Sequence, residues 1–202
     1  ILKADTIQDS SGNNIINESS DTITIGASGD TITIPAGATL ANSGTATGFG
    51  GITEIDMWLM TSNLSTTTSE AVITSNLSRS TTTGFSKLGT GMAVSSGAWT
   101  FPSTGFWLVQ ANAQWETTNN TGYNGLRIYA TTDNGTYSLV SNANAGAAGG
   151  YYMNSSSNTI IDVTDTSNVK LKFYAISSAN STLRGTSSYK YTGFTFIRLG
   201  DT

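Results

Sequence analysis

Histidine and cysteine are both missing from the 202-residue sequence, and their absence removes most side-chain chemistry at once. Without His there is no imidazole base, no His-based catalytic triad and no His metal cluster. Without Cys there is no thiolate nucleophile and no Cys-ligated zinc or iron. Carboxylate chemistry is left: thirteen acids, which a two-acid glycosidase could in principle use. They are scattered, however, and Asp133, Asp162 and Asp165 sit beside turn residues, where a carboxylate ordinarily accepts local hydrogen bonds. Asp162-Val163-Thr164-Asp165 with Asn168 could offer oxygens to calcium, but it lacks the charge density and loop of a calcium motif. No Gly-rich loop ends in Lys-Ser or Lys-Thr, and Gly149-Gly150 fits no dinucleotide fingerprint. Triplets such as Asn63-Leu64-Ser65 and Asn180-Ser181-Thr182 are expected by chance in so polar a chain, and they imply no glycosylation. The sequence therefore predicts a protein that is not an enzyme and needs neither cofactor nor metal.

The strongest binding candidate is the adjacent pair Tyr151 and Tyr152, which follows the Gly/Ala-rich stretch 144–150. Small residues read as a mobile exposed loop, and paired tyrosines supply rigid contact area for a sugar or a protein. The plainer alternative is a long loop whose tyrosines cover the edge of the core.

Composition says what kind of element must carry such a site. Roughly half the residues are Ser, Thr, Asn or Gly, and only 11% are charged, well under the usual quarter or so. Helix formers are scarce, and β-compatible and turn-forming residues dominate. Hydrophobic residues still reach 37%, with four Trp, eight Tyr and seven Phe, so a core can be built. The net charge is −4 and no Lys/Arg cluster occurs, which speaks against nucleic acid and anionic membranes as partners. A surface this poor in charge has few devices for keeping single molecules apart. It suits a chain that buries much of its surface against copies of itself.

Two regions are predicted. Residues 1–51 form a repetitive N-terminal segment and linker. Asp21-Thr22-Ile23-Thr24-Ile25-Gly26 is followed nine residues on by Asp30-Thr31-Ile32-Thr33-Ile34-Pro35, a repeat of the kind that stacks β units. Alternation puts Ile23 and Ile25 on one face, and Ile32 and Ile34 likewise. Two apolar residues per strand cannot hold a short segment alone in water. It docks onto something else, winds with the same strands of other copies, or stays a loose tail.

Residues 52–202 read as a compact β domain. The best strand is 106–116, with Trp107, Val109, Ala111, Ala113 and Trp115 on one face, fit for a sandwich core. Its other face carries Phe106, Leu108, Gln110, Asn112 and Gln114. Neutral amides suit a subunit interface, where polar groups pair without desolvating full charges; an ordinary wet face in a Lys-poor protein is the alternative. Further strands are expected at 55–61, 85–88, 92–95, 98–101, 126–132, 136–141, 169–177 and 189–199. Asn134-Gly135 is a hairpin signal.

Ser96-Gly97-Ala98-Trp99-Thr100-Phe101-Pro102-Ser103-Thr104-Gly105-Phe106-Trp107 resembles the central signature of complement globular-head and tumour-necrosis-factor-like jelly rolls. Thr192-Gly193-Phe194-Thr195-Phe196-Ile197 is similar to the Gly-Phe-rich last strand of those proteins. The resemblance covers about residues 53–202 and implies an all-β fold: a trimeric jelly-roll sandwich head preceded by a short repetitive β stem or anchor. The members' receptor and calcium sites do not carry over, because the loops here are Thr/Asn-rich. There is also no collagen-like stalk, since Gly does not recur at every third residue.

The whole layout also resembles bacteriophage virion appendage proteins. That likeness implies a homotrimeric fibre or decoration protein. Its N-terminal segment would meet other virion proteins, and its head would lie exposed on the particle surface or tail. A receptor-binding tip that recognises a host glycan or surface protein is the alternative. Under either reading Ile23, Ile25, Ile32, Ile34, Gln110, Asn112, Gln114, Phe194 and Phe196 are expected in a trimer interface or in the core.

Overall fold

The computed structural model describes residues 6–12, 14–20, 22–26, 28–41 and 51–202. The chain divides into two compact units, Ile1–Phe49 and Gly50–Thr202.

The first unit holds a three-stranded antiparallel sheet of β1 (Thr6–Gln8), β2 (Asn14–Ser19) and β3 (Thr22–Ile25), in that order. Ile7, Ile16 and Ile25 stand opposite one another across it. The expected repeat is half realised. Ile23 and Ile25 lie on β3, but Ile32 and Ile34 lie in exposed chain outside any strand. The difference has a cause in the flanks, because Pro35 brings no N–H to a ladder. The repeat's Asp21 and linker positions 42–50 lie outside the described residues.

In the second unit the strands are β4 (Ile55–Met60), β5 (Leu64–Thr66), β6 (Ala71–Val72), β7 (Leu77–Arg79), β8 (Ala93–Ser95), β9 (Ala98–Thr100), β10 (Gly105–Glu116), β11 (Thr121–Thr131), β12 (Ser138–Ala147), β13 (Tyr152–Val163), β14 (Lys170–Ser177), β15 (Ser181–Leu183) and β16 (Gly193–Gly200). One sheet runs β7-β4-β16-β10-β13, with β15 and then β5 continuing beside the far end of β10. The other runs β12-β11-β14-β9-β8, with β6 against β14. Every pairing is antiparallel.

The alternation of β10 is realised in full: Trp107, Val109, Ala111, Ala113 and Trp115 are all buried. On β14, Leu171, Phe173 and Ala175 face the same core, and Val169 just before it is buried too. Trp99 sits at the centre, its ring 5.1 Å from Trp58, 5.6 Å from Phe173, 5.5 Å from Phe194 and 5.1 Å from Phe196. Phe194 and Phe196 are thus core residues and not surface.

Glycine is required at two corners. At Gly105, φ is +129°, and a Cβ would lie 2.3 Å from the Gly200 carbonyl oxygen. The β8–β9 hairpin turns on Ser96 (φ 49°) and Gly97 (φ 77°), the positive pair that a tight type I′ turn needs.

Other expectations shift. The predicted 85–88 strand is only a bridge between Leu88 and Ile55. The last strand starts at Gly193 and not at 189, after a turn. The supposed loop 144–150 is mostly strand, since β12 runs to Ala147 and β13 starts at Tyr152. Its small residues serve close packing: a Cβ on Gly146 would lie 2.6 Å from the Gly122 carbonyl oxygen.

Candidate functional site

The outward face of the β10 sheet is read most simply as rows of side chains crossing the strands. At the Phe106 end, Phe106 stands opposite Asp162, and one row further in Ile160, Leu108, Ile197 and Ile55 stand side by side on β13, β10, β16 and β4. The next row is Asn158, Gln110, Thr195 and Met57, followed by Ser156 and Asn112 beside Gly193. Gln114 then faces Asn154, and the last row is Tyr152, Glu116, Thr182 and Ser65. One face therefore grades from aliphatic through neutral amide to a mixed aromatic and carboxylate end, with β13, β16 and β15 setting the register against β10.

Phe106 is 41% exposed, Ile160 58% and Leu199 48%, an unusual concentration of open apolar surface on one sheet. The predicted amides lie on this face, but two of them already have partners. Ser156 donates to Asn112 Oδ1 at 2.8 Å, and Arg184 Nη1 donates to Gln114 Oε1 at 3.0 Å.

Both predicted binding tyrosines are exposed: Tyr151 just precedes β13, and Tyr152 opens the strand and joins a cluster. The Arg184 guanidinium lies 4.6 Å from the Tyr152 ring and 4.2 Å from that of Tyr191. Arg184 Nε is 3.5 Å from Glu116. Tyr189 meets Tyr191 edge-on at 4.7 Å and donates its hydroxyl to the Tyr191 hydroxyl at 2.7 Å. That hydrogen bond, then burial, raises the Tyr189 pKa. Tyr189, Tyr191 and Arg184 had no sequence signal, because only the β10–β15 pairing brings Arg184 to this face.

Beside this row lies a cavity of about 500 Å³ lined by Asn63, Ser65, Thr66, Thr67, Glu116, Thr118, Asn180, Ser181 and Thr182. Each of its lining side chains carries a polar group.

Asp133 and Asp165 behave as their turn positions implied, whereas Asp162 lies on β13 opposite Phe106 and its carboxylate accepts no hydrogen bond from the described residues. Asp133 accepts from Thr131 Oγ1 at 2.7 Å and from the Gly135 and Thr136 amides at 2.8 and 2.9 Å. Those bonds, the threonine hydroxyl first, hold its pKa below the usual carboxylate value. Asp165 accepts from the Ser167 amide and from the Asn168 side-chain amide. Among the described residues no group of three His, Cys, Asp or Glu is placed to hold a metal.

A further acid was not singled out from sequence. Asp56 is fully buried and accepts from Arg79 Nε (2.9 Å), Arg79 Nη2 (3.0 Å), Trp58 Nε1 (2.9 Å), Met92 N (2.8 Å) and Met57 N (3.0 Å). It is a structural clasp with no lone pair left for chemistry.

These two sheets form an all-β jelly-roll sandwich, with strand orders β4-β16-β10-β13 and β9-β14-β11-β12 in the two layers. Among solved structures it is similar to Eiger TNF from S. frugiperda, with TM-score 0.57 and 10% identity, covering 73% of this chain and 93% of that one. Murine APRIL gives TM-score 0.52 and 11% identity, covering 72% of this chain and 98% of that one. The fold is TNF-like. A zebrafish complement 1qA globular domain scores 0.45 at 9% identity, a level that adds nothing to the fold assignment. No protein-family model matches the sequence, and neither does any curated protein.

Proposed function

We propose that the chain is a non-enzymatic structural protein of a virion, a homotrimeric fibre or decoration protein. Residues 1–51 attach it to the particle, and the jelly-roll head is exposed. The observation that carries this reading is the row Ile160, Leu108, Ile197 and Ile55 with Phe106 at its border. Ile160 and Phe106 are exposed and Leu108, Ile197 and Ile55 half-buried, and an apolar strip open to solvent in this way marks an interaction site. The neutral amide rows beside it fit a symmetric interface, which must bury polar groups without stranding charges. In the first unit, Ile7, Ile23 and Ile25 are exposed on a sheet of three short strands, which supports docking against other virion proteins or against the same segment of other copies.

Sedimentation equilibrium of the full chain tests the assembly. The expected species is a trimer, and Leu108→Asp, which places a charge in the aliphatic row, is expected to yield folded monomer. A wild-type chain that stays monomeric at micromolar concentration refutes the reading. Attachment is tested by particle binding of Ile23→Asp with Ile25→Asp, expected to be lost while the trimer persists.

A receptor-binding tip is the second reading. It is favoured by the tyrosine cluster and polar cavity at the opposite end of the same sheet.

A further inference from the structure

The end of β10 that carries Glu116 lies ten residues from Phe106, about 34 Å along the strand, and it is built on a different plan from the aliphatic row. Its cavity of about 500 Å³ falls inside the roughly 300–1,000 Å³ typical of small-molecule sites. The lining contains hydroxyls, amides and one carboxylate, Glu116, with no apolar side chain and no cation. Among the described residues, the side chains of Ser65, Thr118, Asn180 and Thr182 make no hydrogen bond within the chain.

An apolar ligand would strand those groups, because unpaired buried polar atoms are costly. A phosphate, a nucleotide or an acidic sugar would find no unmatched positive charge, because Arg184 beside the cavity is already paired with Glu116 at 3.5 Å. A hydroxyl both donates and accepts, and an amide carries both functions on adjacent atoms. The ligand that matches such a lining is itself a neutral polyol.

The second observation is the aromatic cluster that shares Glu116 with the cavity. Tyr152 stands opposite Glu116 and is 58% exposed, and Tyr189 is 52% exposed. The rings are held before any ligand arrives. Arg184 lies against Tyr152 and Tyr191 and is anchored by Gln114 and Glu116, while the Tyr189 and Tyr191 hydroxyls are bonded to each other. Glu116 also offsets the charge of Arg184, so the cluster does not select anions. Rigid amphipathic rings give contact area at low entropic cost, and the C–H face of a pyranose is the complementary surface.

We propose that this end of the head binds a neutral oligosaccharide. One sugar hydrogen-bonds in the cavity through Ser65, Thr118 and Thr182, and the next lies against Tyr152 and Tyr191. The inference deepens the receptor-binding reading and does not depend on how copies assemble.

The full chain is applied to an array of neutral and acidic glycans, and the best neutral oligosaccharide is titrated calorimetrically. Tyr152→Ala is expected to weaken binding about tenfold, equivalent to about 1.4 kcal/mol. Thr182→Val, which keeps the shape of β15, is expected to weaken it several-fold. Tyr137→Ala, removing a ring that lies against Lys172 of the other sheet, is expected to leave it unchanged. An array silent for neutral glycans, binding confined to acidic glycans, or neutral binding indifferent to both Tyr152→Ala and Thr182→Val would overturn the site. Sedimentation of the same samples separates the two proposals. A trimer that binds no sugar refutes only the site, and a monomer that binds refutes only the assembly.

Discussion

Replacing Asp56 by Asn isolates the cost of one buried charge with almost no change of shape. Asn keeps a single acceptor oxygen, so its NH₂ must stand where one carboxylate oxygen stood. In place of Oδ2 it would confront Trp58 Nε1, Arg79 Nη2 and the Met92 amide. In place of Oδ1 it confronts only Arg79 Nε and the Met57 amide, and that orientation is the cheaper one. The loss is then one neutral hydrogen bond, about 1 kcal/mol, and one to a charged group, about 1.5–3 kcal/mol. Because the Arg79 side chain is 35% exposed, water recovers part of the charged component. The expected destabilisation is about 2–3 kcal/mol. For a unit of this size roughly 2–4 °C accompanies each kcal/mol, so the melting temperature falls by roughly 4–12 °C. Differential scanning calorimetry at fixed protomer concentration measures it, since stability shifts with assembly. Arg79→Met and the double variant complete a cycle. A loss under about 0.5 kcal/mol, or strict additivity in the cycle, would falsify the account of Asp56 as the clasp joining 56–58 to 79 and 92.

The turn at Asp133 predicts an acid limb: a folded pKa lowered from 3.8 gives stability that is present above pH 3.8 and lost as pH falls through the lowered value. Asp133→Asn should therefore show a shallower decline in melting temperature below pH 4 than the wild type, and parallel declines refute the assignment. Gly193→Ala would place a Cβ 2.4 Å from the Trp58 carbonyl oxygen, and the β16–β4 pairing should weaken by roughly 1–3 kcal/mol in urea unfolding. Equal urea midpoints would show that β4 yields without cost.

The core was legible where a strand joined period two to apolar inward residues. The twelve-residue β13 alternates as regularly but went unread, because its inward positions include Ser155 and Ser157. The inward residues of β10 and the apolar alternation of 169–175 could be read directly, and burial follows them. Strands of two or three residues carry no such period. β5, β6, β7 and β15 escaped notice, and with them the cavity between residues 63–67, 116–118 and 180–182. The Asp56–Arg79 pair spans 23 positions and the Asp56–Met92 bond 36, distances over which no local pattern operates. Composition misled in one place, where the Gly/Ala-rich stretch 144–150 signalled a mobile loop. In the fold the missing side chain of Gly146 lets β12 approach β11 closely.

Trp58 belongs to β4 in one layer and Trp99 to β9 in the other, yet their rings meet edge-on at 5.1 Å. Two indoles at that separation couple as transition dipoles, and the coupling exists only while the two layers are pressed together. The protein thus carries an optical ruler across its own midplane. An exciton couplet in circular dichroism would report closure of the sandwich within each chain, whatever the number of chains around it.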